Sequence, residues 1–138
     1  QDPLCTPALR ALGNMVSGAQ DWADAVMVHK EFLPCLDAVL KIQNDKSRRA
    51  LVKEAAWVAS NVAAGRQEHR DALVAQGSLA ALTSLLVSDQ LDLQQEAAYG
   101  IWNIASHDEE ILVQASKNEK VIGTFVALVR AQSAPVVR

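Results

Sequence analysis

The sequence predicts an all-α fold in which a three-helix unit recurs to form a solenoid. Three segments align with one another, and each ends in an asparagine, at Asn14, Asn61 and Asn103, spaced 47 and 42 residues apart. A helical segment that recurs about every 40–47 residues is typical of helical-repeat solenoids. No stretch alternates apolar and polar residues for long enough to predict a strand. The composition, 50% hydrophobic and 21% charged, is that of an ordinary globular domain.

Proline and glycine residues mark the ends of the predicted helices. Pro3 and Pro7 lie at the start of the first helix, where a missing N–H is harmless. Gly18, Gly65 and Gly77 each follow a predicted helix, at the position where glycine commonly ends one. The predicted helices run to about residue 17 and then near 21–29, 33–42, 47–64, 67–76, 78–87, 93–106, 109–116 and 120–130, with a last one starting at Pro135.

Each complete unit consists of a short, a medium and a long helix. This order indicates the armadillo repeat, a right-handed α-solenoid, rather than the two-helix HEAT repeat. The predicted division is a partial repeat 1–18, repeats 19–65 and 66–107, and a partial repeat 108–138. Neither end resembles a capping repeat with a polar outer face, so we expect a fragment of a longer array. Exposed apolar ends would favour self-association.

Charge and cysteine content limit the classes of partner and compartment. The net charge of −3 argues against a nucleic-acid partner, and no apolar run approaches the 18 or so residues of a membrane span in this segment. Cys5 and Cys35 lack a CxxC spacing, and we expect reduced, buried thiols in the cytosol or nucleus. Trp22, on a short helix, is also expected in the core.

No catalytic motif is present in the sequence. His29, His69 and His107 are scattered, and neither an HExxH motif, a P-loop nor a nucleophile elbow occurs. We therefore expect no enzyme activity, no metal site and no cofactor.

The long helix before Gly65 carries a polar stripe. On a helical wheel Trp57 lies within about 60° of Lys53, Glu54, Ser60 and Asn61, while the opposite side is apolar. Trp57 is therefore expected on the polar stripe rather than in the core.

The same arrangement recurs in the other long helices. Tyr99 takes the position of Trp57 and is accompanied by Glu96 and Asn103. In the first helix Arg10 takes the aromatic position, four residues before Asn14. The recurrence predicts a binding surface along the three helices.

The residue types on this surface suit an extended basic peptide. An asparagine amide can bind both the C=O and the N–H of a peptide backbone. An indole packs against an aliphatic stem and attracts its cation, and a glutamate can pair with the charged tip. Asparagines that bond the backbone of a neighbouring helix would explain the same recurrence as packing. Trp102, equivalent to Ser60, either extends the aromatic surface or lies half-buried at the repeat edge.

The long helices resemble those of the importin-α family. Lys53–Asn61, KEAAWVASN, is similar to the family's (Arg/Lys)-Glu-Ala-(Cys/Ala)-Trp-x-x-Ser-Asn core. The segment Thr6–Gly18 resembles a later repeat of that family in which arginine replaces the tryptophan. The order of an arginine repeat followed by two aromatic repeats resembles the half of the family's solenoid that carries the minor site for nuclear localisation signals.

This resemblance implies a nuclear import adaptor of the cytoplasm and nucleus that binds extended Lys/Arg-rich peptides, such as nuclear localisation signals. It also implies an importin-β-type carrier, bound through regions outside this sequence. The residues it assigns to peptide binding, with those of the polar stripe, are Arg10, Asn14, Val16, Ser17, Glu54, Trp57, Ser60, Asn61, Glu96, Tyr99, Trp102 and Asn103.

The sequence departs from the family pattern at several positions. Tyr99 replaces a tryptophan, Trp102 is aromatic where the family is not, and Lys46, Arg48 and Arg49 add basic residues near the start of the long helix. A second hypothesis therefore stays open. The same face would serve an importin-like scaffold or adaptor that binds a different protein partner without recognising basic signals.

Overall fold

The structure is a computed structural model and describes residues 3–133. These residues form α-helices joined by short turns and contain no strand, which confirms the all-α prediction. The helix predicted to start at Pro135 lies outside the described residues. The helices are α1 Cys5–Ser17, α2 Gln20–Met27, α3 Phe32–Leu40, α4 Arg49–Ala63, α5 Gln67–Ala75, α6 Ser78–Leu86, α7 Leu91–Ala105, α8 Glu109–Ser116 and α9 Glu119–Ser133.

The long helices α1, α4 and α7 lie side by side, and α4 packs against both of the others. Four alanines of these helices are fully buried: Ala56, Ala59 and Ala63 of α4 and Ala97 of α7. Small side chains at a helix contact allow the two backbones to approach closely. The long helices therefore form one layer in which equivalent residues face the same way, as expected of an armadillo solenoid.

The shorter helices cover the apolar side of this layer. Helix α3 packs on α4 and α6, and α6 packs on α7. The largest fully buried apolar side chains are Leu36, Leu40, Val52, Val58, Val62, Leu73, Leu82, Leu85, Leu86 and Ile104. The polar stripes of the long helices are left on the opposite side.

Helix α4 begins two residues later than the sequence predicts. The chain enters it through a short 3₁₀ turn, Lys46–Arg48, which Asp45 caps. The Asp45 carboxylate accepts hydrogen bonds from the main-chain N–H of Ser47, at 3.0 Å, and from its Oγ, at 2.5 Å. This capping satisfies one main-chain N–H, that of Ser47, which would otherwise be unpaired at the start of the turn.

Gly77 is the one described residue whose backbone requires glycine. Its φ is 93°, in the left-handed region that side chains disfavour, and it separates α5 from α6. The predicted helix end at this position is therefore confirmed.

The expectation that Trp22 lies in the core is wrong, because its side chain is 59% exposed. Helix α2 buries Ala23 and Val26, and Trp22 lies beside that face. Its ring packs over the turn that follows α1. A Cβ on Gly18 would lie 2.5 Å from Cε3 of the indole.

Both cysteines are free thiols, but the expectation of buried thiols is wrong for Cys35, which is exposed, while Cys5 is half-buried. Helix α3 turns Phe32, Leu36 and Leu40 inward, at the four-residue spacing of one helix face. Cys35 falls outside that face.

Within residues 3–133, no helix is both long and apolar enough to cross a membrane. The same part of the chain contains no group of three or more His, Cys, Asp or Glu side chains that could hold a metal ion.

Candidate functional site

A polar groove crosses the long helices on the side away from the core. Its volume is about 320 Å³, and α1, α4 and α7 all contribute to its lining. The residues that line this polar groove are Arg10, Asn14, Lys53, Glu54, Trp57 and Glu96. Five of these six belong to the predicted site. Lys53 was not predicted as a site residue, although its place on the polar stripe, four residues before Trp57, was a signal for it.

Trp57 is half-buried and its ring lies against α1. It packs against the edge of the hydrophobic core as well as lining the polar groove. Gly13 makes this position available, because a Cβ there would lie 2.8 Å from Cε3 and 2.9 Å from Cη2 of the indole. Trp57 is therefore less exposed than its place on the polar stripe predicts. Gly13 was not among the predicted site residues, although it directly precedes Asn14, the first recurring asparagine.

The recurring asparagines join neighbouring long helices. Asn61 Nδ2 donates a hydrogen bond to the main-chain oxygen of Gly13, at 3.2 Å. Asn103 Nδ2 donates to the main-chain oxygen of Ser60, at 3.1 Å, and lies 3.4 Å from Ser60 Oγ. The two acceptors occupy equivalent positions, because Gly13 directly precedes Asn14 and Ser60 directly precedes Asn61. The packing role left open by the sequence is thus present in the structure.

These bonds leave part of each amide available. In residues 3–133, Oδ1 of Asn61 and of Asn103 accepts no hydrogen bond. Asn14 is exposed, and its side chain makes no hydrogen bond within the same residues. Its main-chain oxygen accepts a bond from Ser17 Oγ, at 3.1 Å, and Ser17 is also exposed.

Two cations and two carboxylates share the polar groove. Arg10 and Glu54 form an ion pair between α1 and α4, and the Glu54 side chain is only 16% exposed. Burial raises the pKa of Glu96, which the charges of Glu54 and Asp92 raise further, while Lys53 acts in the opposite direction. Because the charges balance, the groove presents separate positive and negative positions rather than one uniform potential.

A second groove, named here the aromatic groove, continues the surface beyond α7. It has a volume of about 800 Å³ and lies between α7 and α9. Tyr99 is 62% exposed and Trp102 65% exposed, so of the two alternatives for Trp102 the structure shows an exposed aromatic surface. The residues that line it are Gln95, Ala98, Tyr99, Trp102, Phe125, Leu128 and Val129.

Two of the predicted site residues lie inside the protein. Val16 is 6% exposed and belongs to the hydrophobic core, and Ser60 is 8% exposed and accepts the hydrogen bond from Asn103. Of the remaining predicted residues, five line the polar groove, Tyr99 and Trp102 line the aromatic groove, and Ser17, Asn61 and Asn103 line neither.

The comparisons with known proteins agree with this architecture. Residues 66–106, which span α5, α6 and α7, match the Armadillo/beta-catenin-like repeat family. A designed armadillo repeat protein has the same fold, with a TM-score of 0.71 and 23% identity over 90% of this chain and 56% of its own. At that identity the likeness concerns the fold alone.

Curated relatives of this chain are importin-α subunits. Importin subunit alpha-2 of Oryza sativa subsp. japonica is 34% identical over 103 residues, which is 73% of this chain and 19% of that protein. Importin subunit alpha-1a of the same organism is 34% identical over 78 residues, 56% of this chain and 14% of that protein. The chain thus spans a fifth or less of the length of these relatives. It is an armadillo-repeat protein whose sequence is similar to that of importin-α subunits.

Proposed function

We propose that the polar groove binds an extended peptide that carries lysine or arginine side chains, as a nuclear localisation signal does. The observation that carries this proposal is the convergence of Trp57, Glu54 and Glu96 on one groove. An indole face supports the stem of a basic side chain, and a nearby carboxylate pairs with its charge.

The asparagines supply a way to bind the peptide backbone. Oδ1 of Asn61 and of Asn103 accepts no hydrogen bond within residues 3–133, so each can accept one from a ligand N–H. Packed helices lie about 8–10 Å apart, and an extended chain rises about 3.3 Å per residue. One long helix therefore corresponds to about three ligand residues, with 19–65 and 66–107 as the proposed repeats.

The ligand would extend from the polar groove toward the aromatic groove. Val16 and Ser60 are buried and would support the surface rather than contact the peptide. The proposed contact residues are Arg10, Asn14, Ser17, Glu54, Trp57, Asn61, Glu96, Tyr99, Trp102 and Asn103.

The cellular role that follows is that of a nuclear import adaptor segment, active in the cytoplasm and the nucleus, with a basic peptide or protein as cargo. The similarity to importin-α subunits supports this role. An importin-β-type carrier would bind regions outside this sequence.

A second candidate is a scaffold that binds another protein through the same face. The aromatic groove favours it, because Tyr99, Trp102 and Val129 are each more than half exposed and together form an apolar surface. Such a surface suits an apolar partner segment that carries no basic signal.

The test is a fluorescence polarisation titration with a labelled Lys/Arg-rich peptide and the same peptide with glutamine at each basic position. We expect the basic peptide to bind more tightly. Reversing the charge of both groove acids, with Glu54→Lys and Glu96→Lys, should lower the affinity for the basic peptide by more than about tenfold, because like charges would then face each other. If the charge reversal unfolds the protein, the milder double variant Glu54→Gln with Glu96→Gln removes the two negative charges and tests the same prediction.

The matched control reverses two exposed acids outside the polar groove, Glu31→Lys and Asp89→Lys. It changes the net charge by the same amount and should leave affinity within about twofold at moderate salt, where distant charges are screened. Equal weakening by both pairs would contradict a site in the polar groove. Equal binding of the basic and the glutamine peptide would favour the scaffold instead.

A further inference from the structure

Glu54, a half-buried acid of the polar groove, already has a basic partner within the protein. Arg10 of α1 extends to Glu54 of α4, and the two side chains form an ion pair. The guanidinium belongs to an exposed side chain, 62% accessible, whereas the carboxylate is 16% accessible. An arginine tip thus lies where the proposed function places the charged tip of a ligand residue.

The position of Arg10 in the repeat explains how it reaches this carboxylate. It lies four residues before Asn14, as Trp57 does before Asn61 and Tyr99 before Asn103. At this position the two later helices carry an aromatic ring and α1 carries a flexible cation. Arg10 lines the polar groove together with the ring of Trp57, whereas the ring of Tyr99 lines the aromatic groove.

The second acid of the groove has no such partner. Glu96 forms no salt bridge within residues 3–133, and Lys53 is the cation whose charge acts on it. A ligand cation that approaches Glu96 meets a carboxylate without an arginine attached. One that approaches Glu54 must displace Arg10 or stay beside it.

We propose that Arg10 is a specificity-determining residue that competes with the basic side chain of the ligand for Glu54. This inference rests on the proposed function, because it concerns a basic peptide in the polar groove. Displacement of Arg10 is feasible because an ion pair with one exposed side chain contributes little free energy. Such a pair also costs the conformational entropy of the long arginine side chain. The polar groove therefore binds ligands whose principal cation pairs with Glu96 more tightly. It binds ligands whose cation must pair with Glu54 more weakly.

The experiment measures the affinity of a labelled Lys/Arg-rich peptide for the wild-type chain, Arg10→Gln and Arg10→Lys. Glutamine keeps much of the stem and removes the charge. We expect Arg10→Gln to bind about two- to fivefold more tightly, the range expected for release of an exposed ion pair. Arg10→Lys keeps a cation near Glu54 and should bind within about twofold of the wild type.

A matched control separates this effect from the change in net charge. Arg66 is also an exposed arginine paired with a carboxylate, that of Asp24 at 2.8 Å, and it does not line the polar groove. Arg66→Gln removes the same charge and should leave the affinity nearly unchanged. Circular dichroism of each variant checks that the helices are intact.

A double-mutant cycle assigns the gain to Glu54. In a Glu54→Gln background, Arg10→Gln should no longer tighten binding, because there is no carboxylate to release. Weaker or unchanged binding by Arg10→Gln, with a wild-type chain that binds the peptide, would overturn the role of Arg10 and leave the proposed function standing. A wild-type chain that does not bind the peptide would overturn both. A gain that persists without Glu54 would also overturn the inference.

Discussion

Asn61 and Gly13 are joined by a hydrogen bond from the Asn61 side chain to the Gly13 main-chain oxygen, 3.2 Å away. The residues are far apart in sequence, on α4 and α1, and the same bond recurs between Asn103 and Ser60. A polar group partly removed from water is stabilising only when it is hydrogen-bonded. The recurring asparagine therefore fixes the register between adjacent long helices, independently of any ligand.

The first prediction concerns this register. Asn103→Ala should lower the free energy of unfolding by about 1 kcal/mol, since it removes the bond to Ser60, whose main-chain oxygen then keeps only the helical bond from the Ala64 N–H. Urea denaturation followed by circular dichroism measures the change. Asn14→Ala is the control, because within residues 3–133 the Asn14 side chain makes no hydrogen bond. Equal losses in the two variants would contradict a packing role specific to Asn103.

The second prediction concerns the space above Gly13. In Gly13→Ala the new methyl group would overlap the indole of Trp57, and we expect a net loss of about 1 kcal/mol in unfolding free energy, because overpacking outweighs the gain in helix propensity. The emission spectrum of the tryptophans should shift as the ring of Trp57 moves. Chemical denaturation gives the stability.

Gly123 provides the matched control for this substitution. It lies in α9 with no heavy atom within 4 Å of an added Cβ. Gly123→Ala should therefore be neutral or stabilising by up to about 1 kcal/mol. A stabilising effect at both positions would contradict this prediction, because it would show that the Trp57 ring moves away from residue 13 at no cost in unfolding free energy.

The third prediction separates the two roles of Trp57. Trp57→Ala should weaken binding of a basic peptide by about 1–2 kcal/mol, through loss of the face that attracts the cation. It should also lower the unfolding free energy by about 2 kcal/mol, because the ring is half-buried against the core. Polarisation titration and urea denaturation measure the two effects. Trp22→Ala, at a 59% exposed site, should change stability less and leave peptide affinity unchanged.

The fourth prediction concerns pH and Glu96. Burial raises the pKa of this carboxyl, so the folded protein holds the proton more tightly than the unfolded chain does. The contribution of Glu96 to stability should thus fall as the pH rises above about 4.5, the ordinary pKa of a glutamate, and through the raised value. Denaturation measured across this range should show a weaker dependence on pH in Glu96→Gln.

Peptide binding should depend on pH in the opposite direction. A ligand cation favours the charged carboxylate, so binding releases a proton from Glu96 and affinity should increase as the pH rises through its pKa. The charges that act on Glu96 are those of Lys53, Glu54 and Asp92. Asp92 is itself paired with Arg49, at 2.5 Å, and this pair lowers the pKa of Asp92. Affinity of Glu96→Gln that follows pH as steeply as the wild type would assign the dependence to another group.

The sequence alone determined the helical repeat and the face on which the candidate site lies. Helix ends follow from local chemistry, as at Gly77, and the polar stripe follows from the helical period. Both depend on residues close together in the chain. The all-α armadillo fold and the likeness to importin-α were therefore accessible from the residues around Asn14, Asn61 and Asn103.

The tertiary structure decided how neighbouring helices meet. A helical wheel gives the direction in which a side chain leaves the axis of its own helix, but it does not give the atoms of the neighbouring helix that the side chain meets. The packing of Trp57 on Gly13, the Arg10–Glu54 pair and the bond from Asn103 to Ser60 each join residues about 40 or more positions apart. The exposure of Trp22 was mispredicted for the same reason, since burial depends on which helix packs against α2 and not on the hydrophobicity of the residue.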